Sequence, residues 1–265
     1  MPKREQNSNK GTFGKVLNFC GCKNYIGAAY LSTISSLKIG AGFSALASEK
    51  DVILSVSKLL PESVYMSRDE GLKQIKNFDI VLIGCGLGVN RASKSLFKKV
   101  IKNIPSRTPI VIDADGLNLL SAENIKFRGS VILTPHPKEA SRLLNCSLEK
   151  VLENLEEAAK KITEKYCCVT VLKTHRTIIC NTNLEIHVNQ HGNSALAKAG
   201  TGDVLAGIIA GILAQGVNCF EAAKLGVYLH SRAGEIASEE LTEYSVLASD
   251  IPRYLPKAIQ ELINR

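Results

Sequence analysis

Short, uninterrupted apolar runs set the tightest limit on what this chain can fold into. VLNFC (16–20), VILSV (52–56), IVLIG (80–84), PIVID (109–113), VILT (131–134) and VTVLK (169–173) are of strand length and rich in β-branched residues. They lack the polar alternation of a half-exposed strand, as expected of strands covered on both faces. Helical patterns lie between and beside them: about Ala28 to Ala47, then 90–103 ending before Pro105, 138–144 and 150–165. Such strand–helix alternation predicts an α/β fold with a mostly parallel sheet and helices on both sides. TIIC-NTN-LEIHV (177–188) predicts a hairpin turning at Asn-Thr-Asn. Further helices are expected over 202–215, about 219–240 and about 250–263. No repeat, low-complexity tract or linker interrupts the pattern. One domain over 10–265 is the simplest organisation, with residues 1–9 as a basic, flexible leader.

Composition excludes several classes. The longest apolar stretch, Val204 to Val217, is too short to span a bilayer and carries Gln215. The N-terminal MPKREQNSNK has no apolar segment behind it and is no signal peptide. None of the eight cysteines forms C-x-x-C, and several sit inside apolar runs. That suits buried, reduced thiols of a cytoplasmic protein better than disulfides or zinc ligands. The net charge is +8, but no aromatic-interleaved basic stripe accompanies it. A solvated lysine-rich surface is expected, with no nucleic-acid or membrane partner and room for a small anionic ligand.

In parallel sheets, ligands bind beyond the carboxyl ends of the strands. Several suspicious stretches fall there. IGCGLG (83–88) has Gly84 and Gly86, but Val89 stands where a dinucleotide fingerprint needs its third glycine. It is either a turn that lets backbone approach a ligand or a plain tight turn. VIDADGLNLL (111–120) sets Asp113, Asp115 and Asn118 at a strand end, as Mg²⁺ ligands or as a helix cap. In LTPHPKEASRLL (133–144), two prolines stiffen the turn that carries His136, a ligand contact or a surface histidine. GNSALAKAGTGDVLAGIIAG (192–211) reads two ways at once. Gly207, Ala210, Gly211 and Ala214 recur at helical spacing, for close packing, while AGTGD builds an anion cradle at the helix start. Asp203 is then either an acid favoured by the helix dipole or a base for phosphoryl transfer.

With that last element the chain resembles the ADP-dependent NAD(P)H-hydrate dehydratases of the ribokinase-like superfamily. The resemblance rests on AGTGDVLAGIIAGILAQG together with KGTFGKVL (10–17), YIGAAYL (25–31), IGCGLG, VIDADGLNLL, LTPHPKEASRLL, VLKTHRTII (171–179) and GVYLHSRAGEIA (226–237), in that family's order. It covers the chain from about Lys10 onward. It implies a three-layer αβα sandwich with a central, mostly parallel sheet. It also implies repair of hydrated nicotinamide cofactors: ADP-dependent dehydration of S-NADHX or S-NADPHX to NADH or NADPH, with release of AMP and phosphate. Asp203 would be the catalytic base. Ala28, Gly86, His136 and Asp203 would contact the hydrate. Lys173, Thr174, His175, Arg176 and Thr177 would hold the AMP portion of the nucleotide, with Gly200 and Gly202 at the phosphates. Mg²⁺ is implied without identified ligands, as are a homo-oligomer and a separate epimerase acting on the other hydrate. Three positions depart from the family's usual pattern: Cys85 for proline, Thr174 for glycine, and Cys20–Gly21–Cys22 for Gly-Gly-Ser. They bear on loop shape and leave the acid intact. The alternative is a vitamin-precursor kinase of the same superfamily, in which Asp203 would serve equally.

Overall fold

Each apolar run that pairs into the sheet buries both of its faces, and this sorts the helices into two layers. A computed structural model describes residues 1–127 and 129–264. The strands are β1 (Lys15–Phe19), β2 (Phe43–Ser48), β3 (Val64–Ser67), β4 (Ile80–Ile83), β5 (Ile110–Ile112), β6 (Val131–Leu133), β7 (Val169–Leu172), β8 (Ile178–Cys180) and β9 (Ile186–Val188). They form one sheet in the order β3-β2-β1-β4-β5-β6-β7-β8-β9. All pairs are parallel through β7, and β8 and β9 close the far edge antiparallel.

Alternate strand residues point to opposite cores. Val16, Leu46, Ile80, Leu82, Val111 and Ile132 face α1 (Ile26–Lys38), α2 (Lys50–Val56), α9 (Thr201–Ala214), α10 (Cys219–Ser245) and α11 (Ile251–Ile263). Leu17, Phe19, Val81, Ile83, Ile110 and Leu133 face α3 (Arg68–Gln74), α4 (Arg91–Asn103), α5 (Asp115–Ser121), α6 (Pro137–Leu144), α7 (Leu148–Glu153) and α8 (Leu155–Tyr166). The result is the expected three-layer αβα sandwich around a mostly parallel sheet. No helix among the described residues is long and apolar enough to cross a membrane.

Three local expectations fail. The helix expected over 150–165 is split into α7 and α8 by Asn154, whose extended backbone (φ −150, ψ 91) ends one and whose side chain caps the other. The helix expected from Ala28 to Ala47 ends at Lys38, and residues 43–48 form β2. Gly40 turns the chain at φ +115, and FSALAS, helix-forming by composition, pairs between β1 and β3. VILSV (52–56), expected as a strand, belongs to helix α2, whose Val52 and Val56 are buried one turn apart. The strand beside β2 is instead VYMS, an edge segment too short and too polar to stand out.

The strand order reverses between β1 and β4, the switch point at which sheets of this type hold ligands. Helix α9 packs over β4, β5 and β1, so its N-terminus lies above this crevice. Close approach to α1 places it there. A Cβ at Gly207 would stand 2.2 Å from Ser32 O, and one at Gly211 2.3 Å from Ile39 Cγ2. The small-residue stripe is therefore a helix–helix contact surface, and the same helix still begins with the glycine turn.

Candidate active site

Asp203 enters the site from the first turn of α9, just after Gly200 at φ +93. The left-handed turn costs glycine little and frees the following amides for an anion. Asp113 comes from the end of β5. The backbone at Ala114 (φ 48, ψ −117) is strained for a residue with a side chain. That turn divides two acids between two tasks. Asp113, 1% exposed, takes hydrogen bonds on Oδ1 from Lys173 Nζ (2.7 Å) and Thr134 Oγ1 (2.7 Å). Asp115 Oδ2 accepts from the Gly88 amide at 2.8 Å and ties down the glycine loop. Asn118 donates weakly to Asp115 at 3.5 Å and accepts from Arg142 at 2.6 Å.

Lys173 crosses from the end of β7 into the same crevice. It lies 2.7 Å from Asp113 and 3.9 Å from Glu139 of α6. Two buried carboxylates thus share one ammonium, and Asp203 feels its charge. Burial pushes Asp203 up to about 7, and the Asp113 charge adds to this; Cys85 and Lys173 offset part of it. Burial likewise pushes Glu139 up to about 7, opposed mainly by Lys173. Burial pulls Lys173 down, but Asp113 and Glu139 outweigh it and hold it above its ordinary value. The Cys85 thiol is raised well above its ordinary value, first by a hydrogen bond with Cys20 and then by burial. Its Sγ lies 3.7 Å from Asp113 Oδ2. The ligand atoms of Cys85, Asp113 and Asp203 all lie within 4.8 Å of one another.

The glycine turn and the start of α1 meet at the crevice mouth. A Cβ at Gly86 would stand 2.7 Å from Ala28 Cβ and 2.6 Å from Tyr25 Cβ, so these backbones touch with no room to spare. His136 caps α6. Its Nδ1 accepts from the amides of Lys138 (3.1 Å) and Glu139 (3.4 Å), while Glu139 accepts from the His136 amide. Burial, then the Lys173 charge, holds its imidazole below the ordinary histidine value.

The chain's relatives can now be set beside this geometry. A sequence model of the NAD(P)H-hydrate dehydratases matches residues 16–257. The chain belongs to that family. It is 36% identical to the ADP-dependent (S)-NAD(P)H-hydrate dehydratase of Neisseria meningitidis serogroup B, over 89% of this chain and 81% of that one. It is 34% identical to the bifunctional NAD(P)H-hydrate repair enzyme of Thermofilum pendens, over 99% of this chain and 53% of that one. The chain therefore spans about half the length of the bifunctional curated relatives it matches. The ADP/ATP-dependent NAD(P)H-hydrate dehydratase of Bacillus subtilis, co-crystallised with ATP/Mg²⁺, superposes with a TM-score of 0.88 at 29% identity, covering 98% of this chain and 94% of that one. Hydroxyethylthiazole and pyridoxal kinases share only the fold, at 13–16% identity.

Within the dehydratase fold, the residues singled out in the sequence gather into two groups. Asp203, Gly202 and Lys173 meet: a Cβ at Gly202 would stand 3.3 Å from Lys173 Nζ. His136 reaches Lys173 through Glu139, and Ala28 meets Gly86. The stretch 173–177 divides. Lys173 points inward, whereas His175 and Arg176 are exposed on the β7–β8 turn, which Thr174 Oγ1 closes by donating to Arg176 O. Thr177 is buried and donates to Thr174 O. Glu139 escaped the sequence reading, and Thr134, at a suspicious strand end, was given no role. Both lie inside the quoted LTPHPKEA block, but only the β5-β6-β7 order reveals that they face Asp113 and Lys173. A cavity of about 1040 Å³ lies between the 193–198 segment and the end of α10, lined among others by Lys198, Arg232, Glu239 and Tyr244, and none of the cluster's side chains lines it.

Proposed function

We propose that the chain catalyses ADP-dependent dehydration of S-NADHX and S-NADPHX, with Asp203 as the base. The observation that carries this reading is a carboxyl held near pH 7 by burial, beside a glycine-built anion cradle. A base is most effective when its pKa lies near the working pH. Hydroxide is a poor leaving group from the reduced ring, and phosphate is a good one. Asp203 takes the proton of the ring hydroxyl as that oxygen attacks the β-phosphorus of ADP. The bond to AMP breaks and AMP leaves. The ring nitrogen lone pair then expels phosphate, and the neighbouring carbon gives up a proton to restore the double bond. The net change is hydrate plus ADP to reduced cofactor, AMP and phosphate.

Each residue's share follows from its position. The amides around Gly200 and Gly202 and the Lys173 ammonium favour charge on the moving phosphoryl group. Ala28 and Gly86, packed against one another, would form the wall of the crevice mouth that the hydrate contacts. His136, neutral at pH 7, offers its ring edge to the hydrate. The 174–177 turn borders the AMP portion of ADP. Mg²⁺ is commonly held by one or two carboxylates plus substrate phosphates. Asp113 Oδ2 provides such an oxygen, and the ion would neutralise phosphate charge. A substrate restricted to the S-hydrate leaves the other epimer to an epimerase.

The test is recovery of NADH absorbance from purified S-hydrate with Mg²⁺ and ADP, ATP or no nucleotide. Recovery with ADP and matching AMP and phosphate is expected. Recovery with ATP alone would overturn the donor. No recovery from folded protein would overturn the reaction, and a stable phosphorylated alcohol product would then favour the kinase.

A further inference from the structure

Cys85 is a buried side chain of this cluster that neither the acid–base chemistry nor nucleotide binding uses. It is fully buried, and its sulfur lies between two carboxylates contributed by different elements, the end of β5 and the first turn of α9. Lys173 and Thr134 hold Asp113 by Oδ1, which turns Oδ2 toward the sulfur at 3.7 Å. A second buried thiol, Cys20 at the end of β1, is hydrogen-bonded to Cys85 from the next strand. Asp203 is only half-buried.

We propose that Cys85, Asp113 and Asp203 form an inhibitory site for a thiophilic divalent cation such as Zn²⁺. One sulfur, two carboxylate oxygens and one open position for water form a ligand set that zinc accepts. Sulfur selects against Mg²⁺, which prefers oxygen throughout. A thiolate and two carboxylates carry three negative charges toward the dication, and the Lys173 ammonium beside Asp113 offsets the third. On binding, the Cys85 S–H bond breaks, its proton passes to solvent, and a metal–sulfur bond forms without electron transfer. The cation then occupies the Asp203 oxygen that would take the hydroxyl proton. Binding stands on the geometry alone; inhibition also rests on the dehydratase reading.

The test uses the full chain, freed of metal and titrated with Cd²⁺, with Zn²⁺ inhibition measured on the S-hydrate under saturating Mg²⁺ and ADP. One equivalent of Cd²⁺ should produce thiolate-to-metal absorbance, and Zn²⁺ should inhibit even with Mg²⁺ saturating. Cys85→Ala should abolish that absorbance and raise the Zn²⁺ needed for half-inhibition by at least about tenfold, since losing even an outer-shell partner weakens metal sites about 10- to 100-fold. Cys85→Ser, which keeps a donor to Asp113, should behave alike and serves if the alanine variant does not fold. Equal absorbance from the variants would assign the metal to another thiol and overturn the proposal. So would no stoichiometric absorbance from the folded wild type. If the hydrate is not turned over at all, the Cd²⁺ titration still decides the site.

Discussion

Asp203 sits where a helix dipole favours its charged form, yet burial and Asp113 raise it to about 7. The expected consequence is a kcat/KM that falls as pH drops below about 7, measured across pH with saturating ADP. Asp203→Asn should lower turnover about 10²- to 10⁴-fold with unchanged circular dichroism. Stability should move the other way. The folded state holds this proton more tightly than the unfolded chain, whose carboxyl titrates near 3.8. The contribution is therefore fully present below about 4 and is lost as pH rises toward about 7. Above that, Asp203 is a buried charge that the asparagine removes. The variant should melt above the wild type at pH 8, and the gap should close as pH falls toward 4. Lys173 is the opposite case. Lys173→Met leaves Asp113 and Glu139 without their cation and should cost about 3–5 kcal/mol in urea unfolding.

The pairing of α1 with α9 determines where Asp203 stands. Gly207 has no space for a side chain against Ser32 O. Gly207→Leu should push the helices apart, cost about 1–3 kcal/mol or more, and lower activity by displacing the first turn of α9. The turn between β5 and α5 stores strain in the opposite sense. Ala114→Gly fits its positive φ and should raise stability by about 1 kcal/mol, the strain relieved less the added chain entropy. Both are read from chemical denaturation midpoints.

At the scale of the molecule, nucleotide binding and folding are linked. The proposed ADP contacts come from the β7–β8 turn and the α9 start, which meet only in the folded sheet. ADP at 100 times its Kd should add about 2.7 kcal/mol and raise the melting temperature by several degrees. Adenosine, lacking phosphates for the cradle, should shift it far less at equal concentration.

Much of this architecture was legible locally. Continuous β-branched runs announce buried strands because burial on both faces removes polar alternation within a window of a few residues. The glycine turn before Asp203 is equally local, since positive φ and a helix start depend on adjacent residues. What local pattern could not decide was fixed by pairing at a distance. FSALAS becomes a strand because β1 and β3 flank it, and VILSV becomes a helix because β3 occupies the edge beside β2. The Asp113–Lys173 pair joins residues 60 apart, and Asp113 and Thr134 are 21 apart. Their meeting depends on β5, β6 and β7 lying side by side. The sequence by itself determined the layers, the start of α9 and the acid, because each depends on a short stretch of chain. Only the tertiary structure decided which charges share the crevice, because burial and charge separation, and the pKa values they set, exist only after the sheet has formed.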